Sequence, residues 1–213
     1  MSVNDERSLL LPGPAGAIEA RLLLPPAGSA RVAVICHPHP LHGGSMDNKV
    51  VSTLVRTWRD AGLATLRFNF RGVGASAGSH AHGEGEVDDL LAVLHWLQAD
   101  QGTSQVWLAG FSFGAWVAAA AVQRLPPGLA LQRLVLVAPP VQYPGFAGLE
   151  PPAGTLVAQG DDDEVVDAAA VAAWVASRRQ PPELIRWDKT GHFFHGRLSA
   201  LKAELAARMF PGQ

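Results

Sequence analysis

The chain has a single cysteine, Cys36, among its 213 residues. One cysteine excludes an internal disulfide and any zinc site built on cysteine ligands. It closes the apolar run Val32–Cys36 and reads as a small buried hydrophobe. Charge is sparse: 17% of residues are charged and the formal net charge is −2, which argues against a nucleic-acid binder and leaves room only for small local basic patches. No apolar stretch approaches the roughly 20 residues that a membrane helix needs. Met1–Arg7 lacks the basic start and apolar stretch of a secretory signal. No nucleic-acid partner and no membrane association are therefore expected, and the cytoplasm is the expected location. Repeats, low-complexity tracts and linkers are also missing, so the expectation is one domain over 1–213.

Hydrophobic residues make up 48% of the chain, and they fall in short runs that alternate with segments of helical length. Arg31–Cys36, Ala64–Phe70, Gln105–Ala109, Arg133–Ala138, Gly154–Gln159 and Glu183–Trp187 read as strands, each closed by Gly, Pro or His. Asn48–Ala61 gathers Val50, Val51, Leu54, Val55 and Trp58 on one helical face. Glu86–Gln98, the almost wholly apolar Phe113–Leu125, Asp167–Arg179 and Arg197–Met209 complete the helices. Arg7–Leu11 and Ala17–Leu24 flank a Pro-Gly turn and predict an antiparallel pair at one edge. The alternation predicts an α/β fold, a mostly parallel sheet of about eight strands covered by helices on both faces. Pro139–Ala153, with five prolines, opposes a helical cap, so the site above the sheet should lack a lid.

Gln105–Ala109 runs straight into Gly110–Phe111–Ser112–Phe113–Gly114, and a helical pattern follows at once. This is G-x-S-x-G between a strand and a helix, the arrangement that holds a serine hydroxyl on a strained turn. Gly110 and Gly114 leave room for strand and helix to approach, and the helix N-terminus favours developing negative charge. Ser112 is the candidate nucleophile.

A serine hydroxyl needs a histidine to take its proton and a carboxylate to orient that histidine. In the chain order Ser, acid, His, both places are filled. One strand ends in Gly160–Asp161–Asp162–Asp163–Glu164–Val165–Val166, and the last ends in Asp188–Lys189–Thr190–Gly191–His192–Phe193. From about Arg31 onward the chain resembles the α/β-hydrolase superfamily. That resemblance maps its acid motif, G-x-x-D-x-x-V, onto Gly160, Asp163 and Val166, and its histidine motif onto Gly191–His192–Phe193. It implies Asp163 as orienting acid, with Asp162 or Asp161 as alternatives, and His192 as base. The remaining acids, Glu164 included, should form a solvated, mutually repelling loop. His195 is the competing histidine, better suited to a surface or capping role.

A tetrahedral intermediate needs two donors aimed at its oxyanion. The Phe113 N–H should supply one. The other should come from His37–Pro38–His39–Pro40–Leu41–His42–Gly43–Gly44, where the prolines have no N–H to give. His39 is the expected donor and Leu41 the next. His37, His39 and His42 with Asp47 could also be read as metal ligands, but their spacing is loose and no metal or other cofactor is expected. His37 should instead pack beneath the loop, and His42 should shape the pocket rim. Arg71–Gly72–Val73–Gly74–Ala75–Ser76 is not a dinucleotide fingerprint. It resembles a supporting turn of the superfamily, which makes Ser76 a poor rival nucleophile.

Together these motifs are similar to a small, cap-free branch of bacterial α/β hydrolases, distantly similar to dienelactone hydrolases. The latter use cysteine where this chain has Ser112, a departure that favours ordinary ester hydrolysis. The expected reaction is cleavage of small carboxylic esters through an acyl-enzyme. Leu41, Tyr143, Phe146, Phe111 and Phe193 are the expected apolar rim. The alternatives are an amidase or peptidase using the same residues, or a non-catalytic interaction protein on the same scaffold.

Overall fold

A computed structural model describes residues 6–25 and 29–211 of the chain. Most of the N-terminal segment read above for a targeting signal, residues 1–5, lies outside the described residues. Eight strands form one sheet: β1 (Glu6–Gly13), β2 (Gly16–Leu23), β3 (Arg31–Cys36), β4 (Ala64–Phe68), β5 (Gln105–Phe111), β6 (Ala130–Val137), β7 (Leu156–Gly160) and β8 (Glu183–Trp187). Their spatial order is β1-β2-β4-β3-β5-β6-β7-β8. β2 runs antiparallel to both neighbours and all other pairings are parallel. This is the mostly parallel eight-stranded α/β sheet, covered by helices on both faces, that the alternation of elements predicts.

Side-chain alternation along the strands divides the interior in two. Val32, Val34 and Cys36 of β3 point into one core, with Val106 and Leu108 of β5. Helices α2 (Glu84–Gln101), α3 (Phe113–Ala121) and α5 (Ala168–Ala176) cover that face. Ala33 and Ile35 point the other way, with Ala109 and Phe111, beneath α1 (Lys49–Asp60) and α6 (Leu198–Met209). The proline-rich stretch after β6 holds only one turn of helix, α4 (Pro144–Ala147). Among the described residues no helix is long and apolar enough to cross a membrane.

Several boundaries differ from the sequence expectation for local reasons. α3 stops at Ala121 and passes through a 3-10 turn at Val122–Arg124. Leu125, followed by Pro126, is held extended (φ −58°, ψ 143°), because a proline ring clashes with a helical residue before it. α2 starts two residues earlier than its apolar pattern, because Glu86 folds back onto the Ala81 and Gly83 N–H groups (2.8 and 2.7 Å). Its carboxylate is thereby buried. β6 ends at Val137, since Ala138 turns to φ 47°.

Candidate active site

Four loops that leave carboxyl ends of parallel strands carry the candidate residues, at the position where open α/β sheets bind ligands. Ser112 follows β5 with φ 54° and ψ −120°, a region that side chains other than hydrogen rarely occupy. Its N–H donates to Val137 O (2.8 Å) and its carbonyl accepts from Ala115 N–H (2.8 Å), so the turn is fixed on both sides. A side chain at Gly110 would fall on the Gly114 carbonyl, and one at Gly114 on the Cys36 and His37 carbonyls. Glycine at both positions lets α3 begin directly against β5 and the end of β3. Phe113 opens α3, and its backbone N–H is one of those a helix start leaves without an internal acceptor. Its ring is held by His39 (4.9 Å between centroids), Phe70 (5.8 Å) and Trp116 (5.6 Å).

Asp163 and His192 meet across the loops after β7 and β8. Asp163 Oδ2 lies 2.8 Å and Oδ1 3.1 Å from His192 Nδ1, with both side chains buried. The carboxylate also accepts from the Val165 and Val166 N–H groups (2.8 Å each) and from Gln159 Nε2 (3.0 Å). Burial pushes the Asp163 carboxyl upward. The His192 hydrogen bond, the two backbone N–H groups and the histidine's charge outweigh that and hold it below the ordinary carboxylate value. Phe111 lies under the His192 ring (4.9 Å) as its floor.

Two of the neighbouring acids have partners of their own, which corrects the expectation of one mutually repelling loop, while Asp162 is exposed. Asp161 pairs with Arg186 (2.7 Å), and Glu164 Oε2 accepts the backbone N–H of His192 (3.1 Å). His195, three residues beyond His192, stands exposed.

The loop after β3 sorts its histidines by depth. His37 is fully buried; its Nδ1 pairs with Pro38 O (2.6 Å) and its Nε2 accepts from Phe70 N–H (3.0 Å). Burial drives its pKa down to about 4, so the ring is neutral. His39 Nδ1 accepts from Leu41 N–H (3.2 Å), while His39 O accepts from His42 and Gly44 N–H (3.1 Å each). None of these bonds uses the His39 N–H. Leu41, the second-choice donor, has its N–H taken by His39. The described residues contain no group of three His, Cys, Asp or Glu side chains able to hold a metal ion. Cys36 is fully buried and its thiol pKa is raised by that burial.

A cavity of about 420 Å³ opens between these loops, in the size range of small-molecule sites. Ser112, His192, His39, His42, Gly43, Gly44, Asn48, Tyr143, Val165 and Phe193 line it with Pro38. Three expected rim residues do not. Phe111 is buried on the α1/α6 face with Ala109, and Phe146 is buried in α4 against Trp174 (4.9 Å). Leu41 projects from a 3-10 turn and is 68% exposed. The sequence reading did not single out Asn48 or Val165. The position of Val165, two residues beyond Asp163, is the one signal that pointed there.

A second buried histidine–carboxylate contact lies behind the site, with no motif in the sequence to mark it. His80 Nδ1 lies 2.9 Å from Glu86 Oε1, off the line of an ideal hydrogen bond. The His80 ring packs on His39 (4.9 Å) and Phe113 (5.6 Å), behind the loop and the helix start.

Residues 33–152 match the family described as serine aminopeptidase, S33. A serine hydrolase without a lid from Xanthomonas campestris is 43% identical, with a TM-score of 0.88 over 98% of this chain and 96% of that one. An α/β serine hydrolase homologue from Coxiella burnetii is 45% identical, with a TM-score of 0.87 over 94% and 95%. An uncharacterised protein of Rickettsia prowazekii is 42% identical over 162 residues, 73% of this chain and 66% of that protein. The chain thus spans just under two thirds of that relative's length.

Proposed function

Because this chain belongs to the serine aminopeptidase S33 family and has the fold of the lidless α/β serine hydrolases, we propose that it hydrolyses small carboxylic esters with Ser112 as nucleophile, His192 as base and Asp163 as orienting acid. The observation that carries this reading is the bond from Asp163 to His192 Nδ1, with the His192 ring and Ser112 lining one cavity. The carboxylate holds the proton on Nδ1 and leaves Nε2 free to accept one.

Ser112 Oγ adds to the ester carbonyl carbon as its proton passes to His192 Nε2. The carbonyl π electrons become an oxyanion, held by the N–H groups of Phe113 and His39. Collapse breaks the carbon–oxygen bond to the alcohol, which leaves with the proton from Nε2. Water then adds to the acyl-Ser112 ester, again giving its proton to Nε2. The second collapse releases the acid and returns that proton to Ser112.

The family's name also raises aminopeptidase action. An aminopeptidase must hold a substrate ammonium group, and a buried ammonium needs a carboxylate partner. No Asp or Glu side chain is among the cavity's lining residues, which favours esters over N-terminal peptides. A fluorophosphonate probe tests the nucleophile. It should label the wild type and not Ser112→Ala, and equal labelling of both would reject the reading. Matched ester and amide panels then separate esterase from amidase. An interaction protein without catalysis would label no faster than free serine.

A further inference from the structure

We propose, resting on the hydrolase reading, that the cavity wall formed by His39 and Asn48 selects esters bearing a hydrogen-bond acceptor, a carboxylate above all, at the end of the molecule remote from Val165 and Phe193. Sheet order separates the two walls. The loop after β3 lies on one side of the Ser112 strand, and the loops after β7 and β8 lie on the other. Val165 and Phe193 are 53% and 41% exposed and make the second wall apolar.

The first wall is polar, and backbone bonds fix which of its atoms remain available. Asn48 caps α1: its Oδ1 accepts from Val50 N–H (2.8 Å). The atom left over is Nδ2, which can only donate. His39 Nδ1 accepts from Leu41 N–H, so in the neutral ring the proton sits on Nε2, again a donor. Burial and the nearby His80 and His42 rings keep His39 towards that neutral form. The N–H groups of Gly43 and Gly44 are already spent on Pro40 O and His39 O. Donors without a partner among the described residues, and no carboxylate among the lining residues, suit an acceptor on the ligand. A ligand bringing a donor here would leave both sides unpaired.

Two substrate pairs test this, each normalised to its own alkaline hydrolysis. On the acyl side, the mono-para-nitrophenyl ester of adipic acid is compared with para-nitrophenyl hexanoate. On the leaving-group side, para-acetoxybenzoate is compared with para-isopropylphenyl acetate. In at least one pair the carboxylate ester should be preferred by about tenfold in kcat/KM. Asn48→Asp keeps the capping oxygen for Val50 but replaces the donor with a negative oxygen. It should lower that preference at least about tenfold, and Asn48→Ser, which also caps, should lower it without adding charge. A preference near one in both pairs, or one unchanged in both variants, overturns the proposal. If the wild type cleaves none of the four esters and the probe does not label Ser112, the hydrolase reading itself has failed instead.

Discussion

Glu164 Oε2 accepts the backbone N–H of His192 at 3.1 Å. The adjacent Asp163 meanwhile holds the ring of the same residue. Two consecutive carboxylates therefore fix one histidine, one through its main chain and one through its side chain. Glu164→Ala removes a charge-assisted bond worth about 1–2 kcal/mol. Ester turnover should fall about five- to tenfold, with near-normal probe stoichiometry. Glu164→Gln, which retains an acceptor, should recover most of it. Equal rates in all three proteins would show that the contact does not position the base.

Asp163→Asn should be far more damaging. The amide would present N–H groups to Nδ1 and drive the imidazole proton onto Nε2, where the base must be vacant. A fall in kcat of about three to four orders of magnitude is expected. Asp161→Asn and Asp162→Asn should stay within about twofold, because neither carboxylate bonds the ring. Steady-state kinetics on one activated ester distinguishes the three.

Ser112 offers a test that needs no substrate. Its φ of 54° with ψ −120° costs a side-chain-bearing residue about 1–3 kcal/mol. Ser112→Gly and Ser112→Ala should both be inactive, but the glycine variant should melt higher. Identical melting temperatures would argue against strain at this turn.

His37 predicts a pH dependence of stability. Its folded pKa is depressed to about 4 from the ordinary 6.5, so between those values the unfolded chain binds a proton that the folded one refuses. The contribution is complete above pH 6.5 and is lost as pH falls towards 4, amounting to about 3 kcal/mol. Denaturant midpoints across this window should slope steeply in the wild type. His37→Gln keeps an acceptor for Phe70 N–H and cannot titrate, so its curve should be flatter even if its absolute stability is lower.

Gly114→Ala should destabilise and inactivate together. The added methyl would meet two carbonyls at the end of β3, and backbone cannot turn aside as a flexible side chain can. A loss of about 1–3 kcal/mol is expected from thermal unfolding, with slower probe labelling as α3 is pushed from the β3 loop.

How much the sequence disclosed depended on the range of the interaction that fixes each feature. Strands β3 and β8 match the reading residue for residue: β3, buried on both faces, writes a dense apolar run, while β8, at the sheet edge with only Ile185 buried, is marked by the prolines before it and the turn after it. Ser112 is legible for a related reason, since its turn requires glycines within two residues on either side. Asp161 and Glu164 were misjudged because their partners, Arg186 and the His192 N–H, lie more than 20 residues downstream. Phe111 could have been placed by parity alone. It shares a strand face with Ala109, two residues earlier, and so falls under α6 rather than at the rim. Asn48 is the subtler case. In one dimension it announces a helix start, and only folding brings that start to the edge of the cavity.

The bare proline-rich crossing after β6 sets how the molecule meets its surroundings. With no flap to swing aside, encounter and departure are diffusion through an open mouth, and turnover should not depend on solvent viscosity through any hinge. Bulk water also reaches the acylated serine at all times. Added alcohols enter by the same open mouth and should compete with water as acceptors in proportion to their concentration, and an oil–water boundary should bring no burst of activation.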